Sequence, residues 1–197
     1  MPRGAAGCNR SLVLFAAPER RLRRQLPCRT LRHPARVTCM EKPASPIRPT
    51  DDEARALARD LIAGARFAAL AVTAPETGTP MVTRIALVPD PDGVPVTIIS
   101  TLSQHTAALA AAPECSLLIG EPGGRGDPLT HPRLTYQARA EPGDKATLRD
   151  HYLALYPKAQ LYYDFTDFQL WRFRPLAGYL NGGFGKAFHL TPGDMLP

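Results

Sequence analysis

Between residues 66 and 101 the chain leaves no room for a helix. Three apolar runs, RFAALAVTA, MVTRIALVPD and VPVTIIST, are separated only by PETGTP and PDG. Each run has strand length and is rich in apolar and β-branched residues, and each gap carries Pro, Gly or Asp, the residues of tight turns. Strands joined this closely pair antiparallel, because a parallel crossover needs a dozen or more residues. A doubly wound sheet, which sets a helix between most strands, is excluded on the same ground.

The rest of the body extends this pattern. PTDDEARALARDLIAGA predicts an amphipathic helix, with Thr50 and Glu53 as a capping box and Asp51 and Asp52 at its positive end. Leu57, Leu61 and Ala65 form its expected buried stripe. A short helix is expected between Ser103 and Pro113, followed by strand ECSLLIGE, loop PGGRGDPLTHP and strand RLTYQARAEP. GDKATLRDHYLALYP then reads as a helix with Leu148, Tyr152 and Leu155 inward, FQLWRFRPLAGYL as a strand, and NGGFGKAF as a glycine-rich close. The expectation is a mainly β fold of six antiparallel strands with flanking helices, closed into a barrel that leaves no exposed edge.

The charge is unevenly placed. The whole chain carries +6, yet residues 1 to 39 hold nine arginines and one acid, Glu19, which leaves fifteen basic and seventeen acidic residues in the remainder. A mildly acidic body lacks the basic face that phosphate tracking needs, so nucleic acid is not an expected partner. Residues 1 to 48 are expected as a disordered basic extension, either a targeting segment or sequence upstream of a start at Met40. The folded domain is expected over 49–190 and a tail over 191–197. Cys8, Cys28 and Cys39 fit no zinc spacing and Cys115 stands alone, so no metal is expected and a reducing, cytoplasmic setting is. LVLFAA, residues 12 to 17, is too short to span a membrane.

The chemistry-bearing stretch is VTIISTLSQHTAALAAAPECSLLI, residues 96 to 119, where a strand passes into a helix through a run of hydroxyls with no carboxylate. A helix start presents unpaired N–H groups and the positive end of a dipole, and so favours an anion. Ser100, Ser103, His105 and Thr106 are candidates to converge on a phosphate, with Arg84 of the neighbouring strand supplying charge. The alternative is a capped helix beside a surface arginine.

The stretches PMVTRIA, STLSQHT, GDPLTHPRLT and LNGGFGKA occur in this order along the chain. Together they resemble the FMN-binding split barrels of the pyridoxamine 5'-phosphate oxidase superfamily, and within it the branch of heme-utilisation proteins. The resemblance runs from about Asp51 to Ala187. It implies a six-stranded split β-barrel and a homodimer with FMN in grooves between the subunits, acting as an oxidoreductase on a small molecule. It also implies a cofactor site drawn from Thr83, Arg84, Ser100, Ser103, His105, Thr106, Trp171 and Asn181. Trp171 is either a flavin neighbour or a core anchor of its strand, and Asn181 either a turn residue or a cofactor contact. His105 and Thr106 stand where the family carries Arg and Lys, which lowers the positive charge facing a phosphate. The family's Arg-Leu-His-Asp-Arg substrate segment is missing, which argues against vitamin B6 oxidation. The alternatives are heme on the same fold, with His189 as its ligand or as a solvated residue, and a ligand-binding protein without turnover.

Overall fold

The computed structural model describes residues 46–197, so the expectations for the arginine-rich segment and for Cys8, Cys28 and Cys39 lie outside the described residues. In chain order the elements are β1 (Ile47–Arg48), α1 (Asp52–Gly64), β2 (Phe67–Thr73), β3 (Pro80–Ala86), β4 (Val88–Pro89), β5 (Pro95–Ser100) and α2 (Gln104–Ala111). They continue as β6 (Glu114–Ile119), β7 (Arg133–Pro142), α3 (Arg149–Leu155), β8 (Phe168–Asn181), β9 (Ala187–Leu190) and α4 (Pro192–Met195). The six expected strands are all present, as β2, β3, β5, β6, β7 and β8.

Strands β3, β2, β6, β7 and β8 pair antiparallel in that order. The long β8 pairs β5 along Phe168–Arg172 and β9 along Gly178–Asn181. The return from β3 to β5 is much thinner. It consists of two residue pairs between β4 and β5 and of the Thr97 hydroxyl donating to the Ala86 carbonyl at 2.6 Å. Pro89 faces Pro95 in that short ladder, and neither prolyl nitrogen can donate, so the pairing stops there. The barrel is therefore split, as the resemblance implied, and not the closed one that short strands and tight turns suggested.

Alternation along the strands sets up two layers. Ala68, Leu70 and Val72 of β2, Cys115, Leu117 and Ile119 of β6 and Leu134, Tyr136 and Ala138 of β7 point into the main core. Tyr136 is fully buried, and its hydroxyl donates to the Phe173 carbonyl at 3.0 Å, which satisfies the polar group that burial would otherwise strand. Strand β5 is covered on both faces, which is why Pro95 to Ile99 are all buried, with Thr97 satisfied by its bond to Ala86. Ile99 enters the main core, while Val96 and Ile98 meet Tyr152, Ala159, Tyr163 and Leu170 in a second cluster beneath α3.

Three local expectations need correction. Thr50 does not cap α1: its hydroxyl donates to the His189 carbonyl at 2.7 Å, and Asp51 caps instead by accepting from the Ala54 N–H at 2.8 Å. The deeply buried stripe of α1 is Ala54, Ala58 and Ile62, with Ala65 buried as expected just past the helix end and Leu57 and Leu61 at the half-buried margin, because small residues let the helix lie close on the sheet. The segment 191–197 is no tail, for Met195 is buried against the core.

Asp194 anchors that end. Its carboxylate accepts from the Thr191 hydroxyl at 2.6 Å and from Arg55 Nε at 2.7 Å, and these bonds hold its pKa down to about 2. A carboxyl depressed in the folded state stabilises fully above its unfolded value, roughly pH 4, and loses that contribution as pH falls toward the folded one. Wild type is expected to exceed Asp194→Asn in melting temperature at neutral pH, with the gap closing between about pH 4 and pH 2. A gap independent of pH would contradict this linkage.

Candidate functional site: a helix-start corner and an open sheet face

The β5–α2 corner forms where expected, but its Ser100 and Thr106 hydroxyls are already committed. The Ser100 hydroxyl donates to the Asp167 carboxylate at 2.6 Å and accepts from the Leu102 N–H at 3.1 Å. The buried Thr106 hydroxyl donates to the Ser100 carbonyl at 2.7 Å. The N–H groups of Thr106 and Ala107 both donate to the Ser103 carbonyl. Ser103 sits at the helix start with its side chain making no capping bond, and His105 keeps a buried Nε2 without a partner. Burial pushes the His105 pKa below the usual imidazole value, so this ring brings no positive charge to the corner at neutral pH.

The remaining expected site residues make no hydrogen bond to Ser100, Ser103, His105 or Thr106. Thr83 pairs with Leu70 on the core side of β3, while Arg84 pairs with Ala69 on the outward side. Adjacent strand residues point to opposite faces, so the two side chains cannot serve one ligand from one side. Arg84 is exposed, with its guanidinium 5.2 Å from the Phe67 ring centroid. Trp171 belongs to the main core at 6% exposure, its indole N–H unpartnered. Asn181 folds the turn after β8, its Oδ1 accepting from the Gly183 N–H at 3.0 Å. Gly183 and Gly185 have φ of 115° and 69°, values that suit glycine and reverse the chain into β9.

A second arrangement appears on the outward face of the sheet. Arg84, Ala69, Leu118, Thr135, Tyr179 and His189 stand in register across six consecutive strands. At about 4.8 Å between strands the row spans roughly 24 Å. His189 is exposed at one end, its imidazole edge-on to Tyr179 with ring centroids 4.8 Å apart. Phe67, Val82, Leu118, Leu176 and Tyr179 make this face apolar, with Val82 exposed by 65%. Leu176 is pushed out by a register shift between β7 and β8, and it borders a hollow of about 410 Å³ with Ala71, Ser116 and Gln137. Cys115 lines the same hollow, but burial pushes its thiol up to about 12. Native protein at pH 8 is therefore expected to leave Cys115 unmodified by iodoacetamide and to expose it in denaturant; mass mapping that finds it alkylated in the native state would contradict the burial.

Three partners in these arrangements were not foreseen: Asp167, Tyr179 and the position of His189 on a strand. Asp167 immediately precedes Phe168, the residue that pairs with Ser100, so only the strand register brings it to the corner. Strand β9 begins at Ala187 within the glycine-rich close NGGFGKAF and runs two residues past it. Among the described residues no group of three or more His, Cys, Asp or Glu is arranged to hold a metal ion, and no helix is long and apolar enough to cross a membrane.

Residues 54–181 match the family model described as pyridoxamine 5'-phosphate oxidase. A curated relative, the non-canonical heme oxygenase HOZ of the chloroplast from Arabidopsis thaliana, is 39% identical over 103 residues, covering 50% of this chain and 30% of the relative. The solved structure of a heme binding protein from Mycobacterium smegmatis is 30% identical with a TM-score of 0.66, covering 76% of this chain and 61% of that one. A protein of unknown function from Agrobacterium tumefaciens is 34% identical with a TM-score of 0.64, covering 78% and 64%. This chain thus spans less than a third of the curated relative and under two thirds of both these solved chains. The Campylobacter jejuni protein ChuZ, at 16% identity and a TM-score of 0.66, shares the fold. With the family model covering most of the described body, and a split barrel in which the six expected strands pair as that fold requires, this chain belongs to the pyridoxamine 5'-phosphate oxidase family.

Proposed function

We propose that this chain is a heme-binding member of its family, in which two copies meet through their outward sheet faces and heme lies against that face near His189. The observation that carries the proposal is the exposed imidazole of His189 beside the Tyr179 ring, at one end of a broad apolar face. A porphyrin is a flat apolar plate, its iron accepts an imidazole nitrogen, and its carboxylates seek cations. His189 would supply the nitrogen, Tyr179 and Leu118 the apolar contact, and Arg133, which pairs with Asn181 one step along the face, a nearby positive charge. When bound, heme supplies an iron centre that exchanges electrons and binds oxygen. The apolar residues would exclude water from it, more completely once a second copy covers the face. The names of the Arabidopsis and Mycobacterium relatives support this choice of ligand. A cytoplasmic setting is part of the same proposal.

FMN fits this chain less well. A phosphate dianion at the corner would meet the Asp167 carboxylate, find the Ser100 and Thr106 hydroxyls already donating elsewhere, and gain no charge from His105. The flavin reading keeps Ser103 and His105, whose polar side-chain atoms are uncommitted, and an oxidoreductase role would go with it. Titration of the purified protein with hemin and with FMN separates the two. A Soret band that saturates at one heme per chain is expected, with no saturable FMN response and a dimer by native mass spectrometry. Flavin bands that copurify, with no Soret response to hemin, would overturn the heme proposal.

A further inference from the structure

We propose that Asp167 makes the β5–α2 corner an anion-excluding pocket, a residue that determines specificity by occupying with its own carboxylate the place a phosphate would take. The corner has the backbone design of an anion site, a helix start facing a strand end. The Ser100 hydroxyl is nevertheless spent on Asp167 at 2.6 Å, while that of Ser103 stays uncommitted. The aspartate is held there a second time, since the Thr101 N–H donates to the Asp167 carbonyl at 2.7 Å. A carboxylate fixed within the chain is present at a high effective concentration, and a free anion must displace it or lie beside it.

The surrounding charge works in the same direction. The adjoining hollow of about 260 Å³ is lined by Pro75, Glu76, Met81, Leu102, Ser103 and Gln104 among others, and Glu76 is its one charged residue. Arg84 lies on the outward face of β3 against Phe67. The Lys145 ammonium is spent on the carbonyls of Phe165 and Phe168, at 2.8 and 2.7 Å, on either side of Asp167. An incoming dianion therefore meets the Asp167 carboxylate at the corner and Glu76 in the adjoining hollow, whose lining holds no cation. This proposal concerns what the corner refuses, so it stands or falls separately from heme on the outward face.

The test uses inorganic phosphate as the probe, titrated at constant ionic strength into the wild-type chain and Asp167→Asn, with backbone amide NMR shifts of Thr101 to Thr106 as the readout. Asparagine keeps an acceptor for the Ser100 hydroxyl, and Asp167→Ser is the second variant should the first not fold. Wild type is expected to show no saturable shift at these amides, and a folded variant is expected to gain one. Saturable phosphate binding by the wild-type corner overturns the proposal, as does the absence of any gain in both variants.

Discussion

Arg172→Ala is expected to lower stability by about 3 kcal/mol, more than a typical point substitution. Asp90 has 3% of its side chain exposed, and Arg172 Nε lies 2.6 Å from its Oδ2, an ion pair in which the N–H is turned off the oxygen. A second guanidinium nitrogen donates to Asp92 at 2.8 Å, so one arginine holds both acids of the β4–β5 turn. Removing it leaves a buried carboxylate with two backbone donors, from Asp92 and Val94, and no compensating charge. The cost comes mainly from that stranded charge rather than from the attraction lost. At this size the melting temperature should fall by roughly 6–12 °C. Asp90→Asn combined with Arg172→Met should lose much less, because neither charge is then buried alone. A urea titration showing under about 1 kcal/mol of loss for the single variant would mean that the turn does not depend on the pair.

His189→Ala is expected to weaken hemin binding by at least about 100-fold and to abolish the Soret shift, since loss of even supporting partners around a metal costs 10–100-fold. The fold should survive, because the imidazole is exposed and the contact made by residue 189 to Thr50 uses its carbonyl oxygen. Tyr179→Ala should weaken binding by several-fold, through the lost ring contact only. His131→Ala is the control: its ring ties the 121–132 loop through the Gly123 N–H and the Arg125 carbonyl. Retention of wild-type hemin affinity by His189→Ala, with loss in His131→Ala, would move the heme site elsewhere.

The two sites differ in how far they can be read from residues alone. Ser100, Ser103 and Thr106 are recognisable as a helix-start cluster because capping chemistry is local and spans a few residues. What neutralises that cluster is Asp167, sixty-seven residues from Ser100, and no periodicity links the two. Trp171 likewise takes its place in the main core only through the pairing of β8 with β5. NGGFGKAF was expected only as a glycine-rich close, yet its last two residues open the four-residue strand Ala187–Leu190 that carries His189 to the face.

Turn residues, alternation and spacing determined the six antiparallel strands and the helices between them, because these depend on interactions within a few residues along the chain. Strand register, the split between β3 and β5, and the placing of Asp167 and His189 were decided only by tertiary structure. A carboxylate meets a hydroxyl, or an imidazole a phenol ring, through pairing across strands far apart in sequence, and there a shift of one residue would turn each side chain to the opposite face.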